Sequence, residues 1–198
     1  MMNRREFPAA LGAGLLLGST MSEAAEPAKP VGPVEAEFTR DYDPPGFKPG
    51  WKKPQLNRLL VQDFVIFAHS DLDMAKKLAE KEPMLVNALM DWGGGDWESG
   101  LGGAAHMGRR DIVEMLLAHG ARPDIFACTM LGLLDAVKAM LTLQPKLIDA
   151  RGPHGFTLHF HAQAGGKESE KVLDYLQTVK KLELKPFPFK PMPKKNGE

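Results

Sequence analysis

Cysteine is nearly missing from this chain: Cys128 stands alone among 198 residues. A single thiol cannot close an internal disulfide, so packing must hold the fold together. A charge excess is missing too, with 25 basic residues against 25 acidic ones. A nucleic-acid binder would show a basic face, so that partner is not expected. The same balance gives no pull toward anionic lipid. No apolar run reaches the roughly 18–20 residues of a spanning helix. Familiar catalytic patterns are absent as well: no Ser/His/Asp arrangement, no Cys/His ligand spacing and no paired carboxylates with a clear site. The chain therefore reads as a non-enzyme with no cofactor and no metal.

What is present is unevenly distributed. Arg4-Arg5 is followed by Phe7 and then by the weakly apolar run AALGAGLLLGS at residues 9–19. Arg4, Arg5 and Phe7 resemble a bacterial twin-arginine signal, although Pro8 stands where an apolar residue is usual. The resemblance implies export of an already folded protein to the periplasm, with cleavage between Ala24 and Ala28. The alternative is an uncleaved N-terminus that anchors the protein to the membrane. No cysteine follows the apolar run, so a lipoprotein is excluded.

Residues 1–26 are thus read as an address and residues 27–55 as a linker. The linker holds Pro27, Pro30, Pro33, Pro44, Pro45, Pro49 and Pro54. Proline fixes φ and removes a donor, which excludes a regular helix or a central strand. Phe38, Tyr42, Phe47 and Trp51 are apolar handles that would pin this segment to a surface.

From residue 56 to 183 the pattern becomes helical and repetitive. Ala104-Ala105-His106-Met107-Gly108 precedes the apolar stripe Ile112, Val113, Leu116 and Leu117. Phe67-Ala68-His69-Ser70-Asp71, Cys128-Thr129-Met130-Leu131-Gly132 and His161-Ala162-Gln163-Ala164-Gly165 occupy matching turns. Gly108, Gly132 and Gly165 are expected to take a positive φ there. Gly132 and Gly165 are 33 residues apart, whereas Gly108 and Gly132 are 24 apart.

Residues 99–124, with the run from Asp111 to Leu117 and the ending His119-Gly120-Ala121, closely resemble an ankyrin repeat. The opening Ser99-Gly100-Leu101-Gly102 departs from the family's T-P-L-H, while Phe156-Thr157-Leu158-His159 keeps Leu158 and His159. The resemblance spans about residues 60–176. It implies an all-α solenoid of about four repeats, since one hairpin cannot bury its apolar face alone. The 24-residue interval implies one shortened finger.

The suspicious residues are weighed on that frame. His154, His159 and His161 invite a metal, but an i, i+2 pair points to different helix faces. The resemblance gives His159 the family's structural hydrogen bond. Cys128 fills a small-residue slot and is expected to be buried and inert. Arg109-Arg110-Asp111 reads as a solvated helix start. Trp92 and Trp97 flank Gly93-Gly94-Gly95-Asp96, which lacks the lysine of a phosphate loop and falls in a finger. Fingers line the family's usual binding surface, and tryptophan favours interface centres. Trp92, Asp96, Trp97, Phe126 and His154 are accordingly the candidate contacts for a protein partner in the periplasm. A metal- or small-ligand-handling accessory enzyme and an envelope tether are the alternatives. The tail, residues 184–198, carries Phe187 and Phe189 between prolines and is expected to cap the last repeat.

Overall fold

The computed structural model describes residues 34–189. The calls on Arg4, Arg5, Phe7, the cleavage region and the last nine residues lie outside the described residues. Within them the chain is mostly helical, as the all-α expectation has it. Eight helices run in order: α1 Arg58–Ala68, α2 Leu72–Lys81, α3 Gly100–His106, α4 Arg110–Ala118, α5 Ile125–Met130, α6 Leu134–Leu143, α7 Leu158–Ala164 and α8 Glu170–Val179. One antiparallel hairpin, β1 Leu89–Asp91 with β2 Trp97–Ser99, sits between α2 and α3. No helix among the described residues is long and apolar enough to cross a membrane.

Local chemistry starts the helices where the polar residues fall. Asn57, Asp71, Ser99, Asp124 and Thr157 each turn a side-chain oxygen onto an N–H of the first turn that follows, starting α1, α2, α3, α5 and α7. Each such cap satisfies a donor the helix would otherwise leave open and is worth about 1 kcal/mol. The helices then pair consecutively, α1 with α2, α3 with α4, α5 with α6 and α7 with α8. The first members of the pairs pack in series, α1 on α3, α3 on α5 and α5 on α7.

Small residues permit that close series. Ala104, Ala105, Ala127 and Ala162 are buried. Cys128 is buried with them, and burial pushes its thiol pKa up, which makes it a packing residue. Two clusters form the core. Phe64, Ile112 and Leu116 belong to the first, while Leu158, Val172 and Leu176 belong to the second. Fully burying such a side chain contributes roughly 1.5–3 kcal/mol.

The glycine turns differ from the expectation in one place. Gly108 and Gly132 have φ of +70° and +77°, but Gly165 has φ of −72°. Gly165 is required for a different reason: a Cβ there would collide with the Met130 carbonyl and with Ser169.

Arg109 and Arg110 are not a solvated helix start. Arg109 donates to the Ser70 carbonyl and forks onto Asp111 at 2.9 and 2.7 Å. Arg110 reaches the Leu131 carbonyl at 3.1 Å. The two guanidiniums thereby tie α4 to the turn before α2 and to the end of α5.

The linker aromatics also depart from the expectation. Phe38, Tyr42, Phe47 and Trp51 remain 57–82% exposed, so they pin nothing. The backbone carries a further internal likeness. Glu82-Pro83-Met84-Leu85 after α2 and Gln144-Pro145-Lys146-Leu147 after α6 form matching 3₁₀ turns. Glu82 and Gln144 have almost identical backbone angles, φ −135° and −138° with ψ 83° and 86°.

Candidate metal centre

Four side chains, from the ends of α1 and α3, the hairpin and the turn before α7, meet at one point. Their ligand-capable atoms, one each from His69, Glu98, His106 and His154, lie within 4.8 Å of one another. The local folding of each residue explains the meeting. His69 caps the C-terminus of α1, and its Nδ1 lies 2.8 Å from the Val65 carbonyl one turn back. Glu98 is the middle residue of β2, just before the Ser99 cap of α3. His106 is the last residue of that seven-residue helix. Gly103 lets the helix approach α1, because a Cβ there would sit 2.7 Å from the His69 ring.

His154 arrives from the 3₁₀ turn Pro153–Gly155. It is the one non-glycine residue with positive φ among the described residues, at +57°. Such a conformation persists only where the surroundings enforce it. Asp96 supplies the enforcement: it accepts from the His154 backbone N–H at 2.9 Å and pairs with the ring Nδ1 at 2.8 Å.

Glu98 is the centre of the cluster, and its side chain is 0% exposed. Its Oε2 lies 3.3 Å from His69 Nε2 and 3.5 Å from His154 Nε2, and its Oε1 lies 3.1 Å from His106 Nδ1. The Trp92 indole N–H donates to Oε2 at 2.7 Å. Glu98 Oε1 and His106 Nδ1 face each other but are misaligned for a hydrogen bond, and neither has another partner among the described residues. Burial would push the Glu98 carboxyl pKa up; the ring nitrogens of His106 and His69 outweigh it and hold the acid at about 2. For His69, burial pulls the pKa down, and the Glu98 carboxylate overcomes it so that the net shift is upward.

The tautomers sharpen the chemistry. A carbonyl and a carboxylate only accept, so His69 Nδ1 and His154 Nδ1 are the protonated nitrogens. In their neutral rings each Nε2 then turns a lone pair toward an anionic oxygen. A proton on His69 balances the single charge of Glu98, and His106 can turn an Nδ1–H to it as the neutral tautomer, but His154 Nε2 still faces the carboxylate with a lone pair. One divalent cation satisfies all four donors at once. Tetrahedral zinc with nitrogen and oxygen ligands near 2.0–2.2 Å spaces its donors roughly 3.3–3.5 Å apart, close to the carboxylate–imidazole distances of 3.1–3.5 Å in a set of donors that lies within 4.8 Å. The Asp96–His154 contact is the carboxylate support that metal-bound histidines typically carry.

The five candidate contacts divide between two places. Trp92 and His154 belong to the cluster; their rings are 5.3 Å apart, and the Trp92 ring is 6.0 Å from that of His69. Trp97 and Phe126 instead line a neighbouring cavity of about 290 Å³ with Arg151. Asp96 touches both, since it lines the cavity and holds His154. None of the four possible ligands lines that cavity.

The trio His154, His159 and His161 does not assemble as a group. His159 Nε2 lies 2.9 Å from the Lys180 carbonyl, and His161 Nδ1 lies 2.8 Å from the Thr157 carbonyl. The expectation of no metal weighed these neighbours in sequence and passed over His69, Glu98 and His106. One sequence signal was available. An Ala-His pair stands at the end of α1 and again at the end of α3, Ala68-His69 and Ala105-His106, and the two rings meet edge-on at 4.9 Å.

No family model, curated protein or solved structure matches this chain.

Proposed function

We propose that the protein binds a first-row divalent metal ion, zinc being the simplest case, through His69, Glu98, His106 and His154. The observation that carries the reading is a fully buried carboxylate ringed by three imidazole nitrogens, two of whose rings have the other nitrogen engaged by an acceptor. Imidazole and carboxylate suit zinc and its neighbours, and no thiolate is present to select softer ions. Four protein donors fill a tetrahedral shell, as in structural rather than catalytic zinc sites. The ion would then act as a clamp that joins the first helix pair, the second, and the turn before α7.

The scaffold under this reading is an ankyrin-like solenoid of about four repeats. Its support is the pairing of helices, the series α1–α3–α5–α7 and the hairpin finger before α3. The twin-arginine reading of Arg4, Arg5 and Phe7 would deliver the folded protein to the periplasm.

The test is metal analysis of protein prepared without chelator or affinity-tag metal, followed by titration of stripped protein with Co²⁺ and Zn²⁺. One ion per chain and quenching of Trp92 fluorescence by Co²⁺ are expected. Failure of both ions to bind at micromolar concentration would overturn the proposal.

A second reading rests on a separate observation. The cavity at Trp97 and Phe126 shares Leu89, Ser99 and Asp124 with another of about 220 Å³. Together they form a groove beside the exposed Trp97 and Leu89. This arrangement supports a protein partner engaging the finger, with Asp96, Trp97 and Phe126 in contact.

A further inference from the structure

The chain after α8 turns back toward the metal centre instead of leaving the molecule. The Gln177 side chain holds both backbone groups of Leu182, donating to its carbonyl at 3.0 Å and accepting from its N–H at 2.9 Å. Gln163 on α7 donates to the Lys185 carbonyl at 2.8 Å. The segment then places Phe187 5.1 Å from the Phe160 ring, and Phe189 at 6.4 Å from Phe156 and 6.3 Å from His106. Phe156 lies 5.2 Å from His106 and 6.0 Å from His154. Two of the four possible ligands thus stand against an aromatic wall whose outer part comes from the strap at residues 180–189.

We infer that this strap is a cover that sets how fast the metal ion enters and leaves the centre. The inference rests on the metal-binding reading and adds to it a means of control. Metal release requires water or a competing ligand to reach the ion as each protein donor lets go. Glu98 closes the buried side and the Trp92 indole donates to it, while the His69 and His154 side chains stay 19% and 30% exposed. The aromatic wall shields His106, whose side chain is only 3% exposed. The strap is the part of this wall that can lift at least cost. Residues 183–186 are exposed and belong to no helix or strand, and beyond Lys180, which His159 and Asp149 hold, the segment is held by two glutamines and two phenylalanine rings. Segments with few buried contacts open locally well below the free energy of global unfolding. Opening such a cover eases both directions of exchange, so it alters rates more than affinity.

The experiment loads the full chain with Zn²⁺, mixes it with excess chelating dye and follows transfer by stopped flow. It compares the wild type with the double variant Phe187→Ala/Phe189→Ala and with Gln163→Ala, which frees the Lys185 carbonyl. Release from the double variant should accelerate by about tenfold or more, with a smaller increase for Gln163→Ala. Affinity measured by competition should stay within about threefold, because uptake accelerates too. Unchanged release rates in folded variants would overturn the inference. A faster release fully matched by weaker affinity would also overturn it, since that would make the phenylalanines structural supports. Failure of the wild type itself to hold Zn²⁺ would instead overturn the metal reading on which the inference stands.

Discussion

Two groups of histidines occupy this small protein, and they do opposite things. In the α7 group, His159 and His161 are neighbours in sequence, and each pairs with a backbone carbonyl of its own. Apolar burial dominates there; it pulls the His159 pKa down and lowers that of His161 to about 4. Both rings are therefore neutral packing elements at physiological pH. In the second group, His69, His106 and His154 are far apart in sequence and converge on one buried anion. Burial is complete in the α7 group and partial in the other, where His106 is buried, His69 half-buried and His154 exposed. The carboxylate of Glu98 makes the difference, because it gives three ring nitrogens a common target that a cation can share. A histidine count would not separate the groups; the direction of the second nitrogen does.

The largest effect should come from removing that anion. Glu98→Gln keeps the shape and the Trp92 contact while deleting the charge. Zinc affinity is expected to fall by at least about a hundredfold, measured by competition with a chromogenic chelator. His159→Ala/His161→Ala should leave zinc affinity within about threefold at a temperature where the variant is folded. Equal losses in the two variants would erase the distinction between the groups.

The next effect concerns pH. His161 has a folded-state pKa of about 4 against 6.5 when free, so the unfolded chain binds the extra proton between those values. Its neutral form therefore supports the fold fully above pH 6.5, and that support is lost as pH falls from 6.5 toward 4. The full shift corresponds to an upper bound of about 3 kcal/mol. Thermal melts across this window should show a steeper acid loss for the wild type than for His161→Phe. Parallel curves would mean that His161 does not sit neutral in the core.

A comparable effect, read without metal, should follow Gly103→Ala. The added Cβ would meet the His69 ring at 2.7 Å. Overpacking of this kind costs about 1–3 kcal/mol, visible in urea unfolding, and it should weaken zinc binding by displacing a ligand. The smallest effect belongs to Asp96→Asn, which preserves a hydrogen-bonding shape but removes the charge behind His154. A loss of about tenfold in zinc affinity is expected from such a supporting carboxylate. No change would mean that the backbone turn alone holds His154.

Much of the scaffold was legible because its signals are local. The apolar spacing of Ile112, Val113 and Leu116 and the turn glycines Gly108 and Gly132 act within a few residues. The matched turns at Pro83 and Pro145 were equally local, but they were overlooked beside the glycine-ended unit at Gly120. Gly165 was assigned the wrong reason, because its requirement is a close approach from Ser169 and Met130 that only tertiary packing reveals. The metal centre was harder to read for the same physical cause. Its ligands lie 29, 8 and 48 residues apart along the chain, from His69 to Glu98, to His106, to His154. No local motif carries such spacing. The Ala-His pairs at the ends of α1 and α3 did carry half of it, through His69 and His106. The strained turn at His154 carries no comparable signal, since a left-handed histidine is set by Asp96 across the fold.

The most direct test of the central claim is a crystal grown with Zn²⁺ and measured at energies on either side of the zinc absorption edge. One anomalous peak about 2.0–2.2 Å from Glu98 and from His69, His106 and His154 would support the claim. A fully ordered cluster with no peak, in crystals soaked at millimolar zinc, would contradict it and leave the four residues as a buried ion-pair network.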